Sequence, residues 1–260
     1  MISGIMLLDK PQGSSSADAL HTAANRLGVS KAGHSGVLDR AASGLLLAAF
    51  GDAVKAMPIF AGLEKEYDAD LFFHQPMDRD GLDKAVRGLE GRIKQTPPRK
   101  ALVARRERER EIMTAALLSF DGRLAKVRIR CEAGLYIRKL ASDLGAKLGT
   151  GAQLAGLRRI AIGPFGAAHA VPPEQANMDR LMTIWEAANL IGCGRITARH
   201  GVGNRLARGA VLQESDMEAY KSLEAGKPCV IFLGTNAIAL GTALTSSTPA
   251  ARIGRVFKHS

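Results

Sequence analysis

Residues 33–44 read Gly33-His34-Ser35-Gly36-Val37-Leu38-Asp39-Arg40-Ala41-Ala42-Ser43-Gly44 (GHSGVLDRAASG). Three glycines and two serines around a single acid mark a loop, and Val37 and Leu38 place apolar side chains beside Asp39. Such a loop can present one carboxylate to a substrate. An Asp among glycines is more often a turn former than a catalyst, so the flanking sequence carries the argument. Upstream, Gly4 to Asp9 (GIMLLD) reads as a short buried strand. Lys10-Pro11-Gln12-Gly13 reads as a turn, and Ser14 to Ser16 offer N-caps for a helix reaching about Leu27. Downstream, Leu45 to Phe60 is mostly apolar and reads as buried.

Further along, Tyr67, Ala69, Leu71 and Phe73 alternate along a strand from Glu66 to Phe73. Leu82, Val86, Leu89 and Ile93 have helical spacing. Asp121-Gly122 between Ile112–Phe120 and Leu124–Ala133 predicts a hairpin. Ile137, Leu140, Ala141, Leu144 and Leu148 predict a helix closed by Gly149 and Gly151, and Leu157 to Ile162 is strand-like. Small residues and two prolines between Gly166 and Asn177 predict a boundary, with a helix over Arg180 to Leu190. Short strands at Cys229–Leu233, Ala237–Leu244 and Arg252–Phe257 then predict a small β-barrel. The expectation is an α+β catalytic domain over residues 1–175, built on a mixed, largely antiparallel sheet, and a small β-barrel domain over residues 185–260.

Composition narrows the partners. No run approaches the roughly 20 apolar residues that span a bilayer, and Met1-Ile2-Ser3-Gly4 lacks the basic start of a signal peptide. Cys131, Cys193 and Cys229 are an odd, scattered set, which predicts a reducing, cytoplasmic setting. The six histidines are scattered too, so no metal-ligand cluster is legible. Lys plus Arg number 36 against 25 acids, a formal charge of +11. The excess is clustered: Gly91 to Glu111 holds eight basic and three acidic residues, and Arg195 to Ala210 holds four arginines and no acid. Clustered positive charge points to a polyanion, with nucleic acid the natural one. Arg105 to Arg110 (RRERER) is by pattern a self-paired solvated face. Arg99 and Lys100 lie just upstream without acidic partners, so Arg99, Lys100, Arg105 and Arg106 are read as phosphate contacts.

These features together resemble the TruB family of pseudouridine synthases. GIMLLDKPQG (Gly4–Gly13) is similar to the family's opening motif, and HSGVLDRAASG (His34–Gly44) to its catalytic loop. Tyr67 in Lys65-Glu66-Tyr67 matches its second motif. Gly134-Leu135-Tyr136-Ile137-Arg138 and Leu157-Arg158-Arg159 resemble its third region. The order holds from about Gly4 to Phe165. Gln95-Thr96-Pro97-Pro98-Arg99, the arginines after it, Glu132-Ala133-Gly134 and Gly163-Pro164-Phe165 resemble the archaeal and eukaryotic branch, the dyskerin-like catalytic subunits of H/ACA guide ribonucleoproteins. The tail resembles a PUA domain in Arg199-His200-Gly201, Gly209-Ala210-Val211, Ile238–Leu244 and Gly254-Arg255-Val256-Phe257.

The resemblance implies a pseudouridine synthase fold with a PUA-like RNA-binding barrel, and isomerisation of uridine in rRNA or tRNA. That reaction adds no atom and requires no metal or redox cofactor. It implies Asp39 as the catalytic acid, Tyr67 stacked on a flipped base, and Arg138 paired with Asp39 to keep it ionised against burial by Val37, Leu38 and the stacked base. It implies Leu157 lining the pocket and His34 holding the extruded nucleotide. The implied partners are target RNA, guide RNA, small Nop- and Gar-type proteins and a kink-turn-binding protein. The alternatives are a stand-alone synthase of the tRNA T-loop and a catalytically silent RNA-binding module. Two positions depart from the family: Arg40 stands where Pro is usual, and Ser35 where Thr is usual.

Overall fold

The computed structural model describes residues 2–96, 106–202, 206, 211–234, 236–245 and 249–257. The apolar run Gly4–Lys10 forms β1, α1 spans Ser16–Leu27, β2 spans Ala32–His34, and β3 spans Ser43–Phe50. β1 lies antiparallel to β3, with Gly4 opposite Phe50 and Lys10 opposite Gly44. Both strands are buried on both faces, which accounts for their nearly unbroken apolar sequences. Alternate residues serve different cores. Met6, Leu8, Leu46, Ala48 and Phe50 meet Ala19, Ala23, Ala24 and Leu27 of α1, while Ile5, Leu7, Leu45, Leu47 and Ala49 face the other way. α1 begins where Ser15 and Asp18 form a reciprocal capping box, and it ends at Gly28, whose φ of 65° is left-handed.

The chain continues through α2 (Pro58–Ala61), β4 (Lys65–Phe73), α3 (Arg79–Arg87), β5 (Gly91–Gln95), β6 (Arg108–Phe120), β7 (Leu124–Cys131), α4 (Ile137–Lys147), β8 (Ala152–Ile162) and β9 (Phe165–Gly166). Nine strands make one sheet in the order β1-β3-β8-β4-β7-β6-β5, with β2 on β3 and β9 on β8. Only β3 and β8 run parallel, so the sheet is mixed and largely antiparallel, as expected. On β4, Ala69, Leu71 and Phe73 pack with Leu82 and Val86 of α3 and Leu140 and Leu144 of α4. The intervening Asp68 faces away and grips Arg128 through two bonds of 2.7 and 2.9 Å. Ile93 departs from its helical spacing. α3 stops at Gly88, and Gly91, at a φ of 104°, turns the chain into β5, leaving Ile93 on a strand.

The stretch expected to be a boundary is strapped along β1. Asp9 donates to the Val171 carbonyl at 2.8 Å, and Ile5 and Met182 exchange two backbone bonds of 2.8 Å. The helix expected from Arg180 begins only at Ile184, as α5 (Ile184–Leu190), because Thr183 and Glu186 form its capping box. Beyond it are β10 (Gly194–Ala198), β11 (Val211–Gln213), β12 (Met217–Lys221), β13 (Pro228–Leu233), β14 (Asn236–Thr245) and β15 (Ala250–Val256), in the order β11-β15-β14-β13-β10-β12. One face of all six strands feeds a single cluster that includes Ile196, Leu212, Met217, Ile231, Ala239 and Ile253, so the sheet curls about its own core. The opposite parity of β13 and β14 supplies Val230, Phe232 and Leu240 to the core that holds Ile5, Leu45 and Leu47. None of the described helices is long and apolar enough to cross a membrane.

The parallel step from β3 to β8 depends on Gly44. It has a φ of 103°, and a Cβ there would collide with the Arg159 carbonyl and lie 2.8 Å from its amide nitrogen. Gly44→Ala is therefore expected to cost at least about 2 kcal/mol, lowering Tm by roughly 4–8 °C for a chain of this size. Gly13→Ala shares the left-handed backbone but has nothing within 4 Å of the added carbon, and should cost about 1 kcal/mol. Equal losses in thermal unfolding would refute the steric role of Gly44.

Candidate active site

The loop between β2 and β3 is held from three sides. The buried Ser16 hydroxyl donates to the Leu38 carbonyl (3.1 Å) and accepts from the Leu38 amide (2.8 Å). The Gly13 amide donates to the Arg40 carbonyl (2.7 Å), and Ala42 donates to the Asp39 carbonyl (3.0 Å). Both peptides flanking Asp39 are thereby fixed. Leu38 is buried and anchors the loop. Its neighbours point outward: Val37 is 70 % exposed, and the Asp39 side chain is 62 % exposed. The loop by itself thus leaves Asp39 open to solvent, and the burial expected beside Val37, Leu38 and a stacked base would need that base.

Arg138 comes from the first turn of α4 and bonds Asp39 through Nη2 to Oδ2 at 2.8 Å. At 64 % exposure its charge is well solvated, so the pair adds little to stability. Its consequence is orientation of the carboxylate. Arg138 is itself placed by Gln95, which is buried and engages Tyr136 twice. The Tyr136 amide donates to Gln95 Oε1 at 3.0 Å, and Gln95 Nε2 donates to the Tyr136 carbonyl at 3.3 Å. Ile137 and Leu140 bury the opposite side of the helix.

Beneath the loop lies Arg159, 1 % exposed. Its guanidinium donates to the carbonyls of Leu45 (2.7 Å), Gly36 (3.2 Å) and Val37 (3.5 Å), and the Tyr67 phenol lies near enough to act on its charge. Burial lowers the Arg159 pKa, opposed by Tyr67. Burial likewise pushes the Tyr67 phenol up, opposed by Arg159. The Tyr67 ring is only partly covered and packs in the same cluster as Leu157. His34, on β2, has a buried Nδ1 without a hydrogen-bond partner among the described residues, and burial followed by the charge of Arg159 holds its pKa below the ordinary value. It is therefore neutral at pH 7. The neighbouring Ser35 hydroxyl is also buried without a partner.

Two buried lysines complete the floor. Lys10 donates to the carbonyls of Pro11 (2.9 Å) and Ser14 (2.6 Å), and Lys65 to those of Ala61 (2.8 Å) and Leu63 (2.5 Å). Carbonyls satisfy the donors of Lys10, Lys65 and Arg159 without cancelling their charge, so the loop stands on a positive foundation that favours an anion above it.

Of the basic residues singled out in the sequence, Arg99, Lys100 and Arg105 lie outside the described residues, as do Gly209 and Ala210 of the tail. Arg106 is exposed and makes no ion pair with the described residues. Its acidic neighbours Glu107 and Glu109 lie 3.9 Å from Lys94 and 4.0 Å from Arg92 on β5. The structure thus brings Asp39 and Arg138 into contact and joins Tyr67 to the loop through Arg159. The placement of Arg159, Ser16 and Gln95 escaped the sequence reading. For Arg159 a signal existed: it shares strand parity with apolar Leu157, whereas Arg158 points away and grips Asp9 at 3.0 and 2.8 Å.

Comparison with known proteins agrees with this arrangement. The model of the TruB family pseudouridylate synthase N-terminal domain matches residues 24–81, and that of the tRNA pseudouridylate synthase B C-terminal domain matches residues 138–187. The probable tRNA pseudouridine synthase B of Methanopyrus kandleri is 39 % identical over 171 residues, covering 66 % of this chain and 51 % of that protein. The tRNA pseudouridine synthase B of Azoarcus sp. is 38 % identical over 208 residues, covering 67 % and 69 %. The chain thus spans about half the length of the archaeal relatives it matches. Among solved structures, a Cbf5-Nop10-Gar1 complex contains a chain that superposes with a TM-score of 0.83 at 26 % identity, covering 98 % of this chain and 85 % of that one. A chain of an H/ACA RNP bound to a substrate RNA containing 2′-deoxyuridine gives 0.82 at 25 %, covering 98 % and 85 %.

Two outcomes test the buried cations. Arg159→Lys keeps the charge but cannot span the three carbonyls. It should lose about 2–3 kcal/mol in denaturant unfolding, and a near-neutral effect would mean that charge alone matters. Burial, followed by Arg159, pushes Lys65 down to about 8 from 10.5. Between those values the unfolded chain holds a proton that the folded chain has lost, so Lys65 makes stability rise with pH from about 8 to 10.5. The wild type should therefore gain on Lys65→Met between pH 7.5 and 9.5 in unfolding midpoint, and a constant difference would show that Lys65 does not titrate in this range.

Proposed function

Because the chain belongs to the TruB family of pseudouridylate synthases, we propose that it isomerises uridine to pseudouridine in RNA, with Asp39 as the essential carboxylate. The observation that carries this reading is the 2.8 Å contact between Asp39 and Arg138, made on an open face by residues 99 positions apart. The reaction breaks the N1–C1′ bond, turns the base and joins C5 to C1′. C5 gives up a proton and N1 gains one, so product and substrate are isomers. A uridine in structured RNA must first leave its stack, at a few kcal/mol. The accessible Tyr67 ring is suited to stack on it, with Leu157 as the apolar wall and neutral His34 offering a ring nitrogen to the nucleotide. The base closes over Val37 and Asp39, which stand exposed without it. Arg138 then keeps the covered carboxylate ionised and aimed.

In the same reading, residues 1–175 form the catalytic domain and residues 185–260 a PUA-like barrel that binds RNA. The curled six-stranded sheet with its own core supports that assignment. A cytoplasmic setting suits the three free, buried cysteines. Superposition over 98 % of the chain on a Cbf5-Nop10-Gar1 complex favours a catalytic subunit of an H/ACA guide ribonucleoprotein, with target and guide RNA and Nop10- and Gar1-type proteins as partners. A second reading, a stand-alone tRNA synthase, is favoured by sequence relatives at 38–39 % identity named tRNA pseudouridine synthase B.

Tritium release from RNA labelled at uridine C5 tests both, because joining C5 to the sugar must expel that hydrogen. Release only with guide, target and accessory proteins supports the first reading, and release from tRNA alone the second. Asp39→Asn should abolish release and leave RNA affinity unchanged. Equal loss of binding and release would remove Asp39 from the chemistry.

A further inference from the structure

Arg40 follows Asp39 directly. Its backbone is pinned by the Gly13 amide at 2.7 Å, while its side chain is 71 % exposed. The guanidinium reaches Asp18 Oδ2 at 3.4 Å, well beyond the roughly 2.7–2.9 Å of a good charge-assisted bond. The same Asp18 oxygen is already engaged, accepting from the Ser15 amide at 3.0 Å as part of the α1 capping box. Arg40 therefore has a fixed root, a weak and shared partner, and donors that no other described residue fills, facing solvent beside the candidate catalytic acid.

The local charges are out of balance. Arg40 and Arg159 lie close enough to act on Lys10: burial, then Arg159 and Arg40, hold the Lys10 pKa below its ordinary value, against Asp18 and Asp39. Of those two acids, Asp39 is occupied by Arg138 and Asp18 by its helix cap. One more anion would settle this group, and a backbone phosphate is the anion that an RNA brings with every nucleotide.

We propose that Arg40 is an RNA-positioning residue that leaves Asp18 to bind the phosphate beside the uridine presented to Asp39, an inference that rests on the proposed function. Asp18 is then a built-in competitor. A sequence-neutral anion contact at the reacting nucleotide favours RNA threaded through the site over RNA bound elsewhere.

The two residues should respond with opposite signs, which a merely structural tie would not do. Arg40→Ala should weaken RNA binding and flatten the plot of log affinity against log salt by about 0.7–0.9, one lost phosphate contact, with the loss falling on KM rather than kcat. Arg40→Lys should keep the slope. Asp18→Asn retains an oxygen for the Ser15 amide and loses only the charge, so it should tighten binding by about two- to fivefold, the worth of an exposed ion pair. An unchanged slope in Arg40→Ala, or an Asp18→Asn that weakens binding as Arg40→Ala does, would overturn the proposal. Tritium release by the wild type separates the premises. Release with an unchanged Arg40→Ala slope sinks this inference alone, whereas no release from any RNA offered sinks the proposed function and with it the placement of Arg40 at the target.

Discussion

The buried guanidinium of Arg159 is the constraint on which the site depends. A charge so deeply covered is tolerated only when its donors are satisfied, and here three loop and strand carbonyls do so. No carboxylate among the described residues takes part, which matters for two reasons. A carboxylate would cancel the charge, and it would hold the arginine to a side chain instead of to the backbone. Bonding the carbonyls of Gly36, Val37 and Leu45 transfers the rigidity of β8 directly to the peptide chain on either side of Asp39. The loop is stiffened by its support, so its own residues remain free to face a substrate.

This support requires the neighbouring backbone to be close. β3 and β8 run parallel for only two residue pairs, Ser43 with Arg158 and Gly44 with Arg159, and Gly44 lacks the Cβ that would hold them apart. Consecutive arginines then leave β8 on opposite faces, as strand geometry demands. Arg158 ties the sheet to Asp9 of β1 on one side, and Arg159 ties it to the loop on the other. Gln95 performs the corresponding task for Arg138 by fixing the turn into α4. The exposed pair of Asp39 and Arg138 thus rests at both ends on buried hydrogen-bonding side chains, Arg159 under the loop and Gln95 at the turn into α4. That arrangement is the preorganisation an electrostatic site needs.

Elements with a strong local period were legible in the sequence: β1, α1 with its serine cap, β4, the Asp121-Gly122 hairpin and α4. So was the pairing of Asp39 with Arg138, through resemblance. The remainder was set by contacts distant in sequence. β10, β11 and β12 are three to five residues long, too short for alternation to declare itself. Ile93 fits a helical spacing that two glycines interrupt. The strap at Val171 and Met182 has no pattern of its own and is ordered by the open edge of β1. The apolar pair Val37 and Leu38 gave no sign of its split: neighbours on an extended loop point in opposite directions, and only Leu38 reaches the core.

The second sheet bears on the first through a shared apolar core. Val230, Phe232, Leu240 and Phe257 pack with Ile5, Leu45 and Leu47, the strands that carry the loop and its opening motif. Arg195 closes the junction, lying 3.9 Å from the centre of the Phe232 ring and 4.9 Å from that of Trp185, with those rings edge to face at 5.9 Å. Desolvated stacking of this kind is stronger than its exposed counterpart, and separating the sheets would also return the shared core to water. A flexible tether between the two units would leave their relative orientation undetermined. A fused core fixes it. The curled sheet and the Asp39 loop therefore keep one relative position, set by the packing of Val230, Phe232 and Leu240 on Ile5, Leu45 and Leu47.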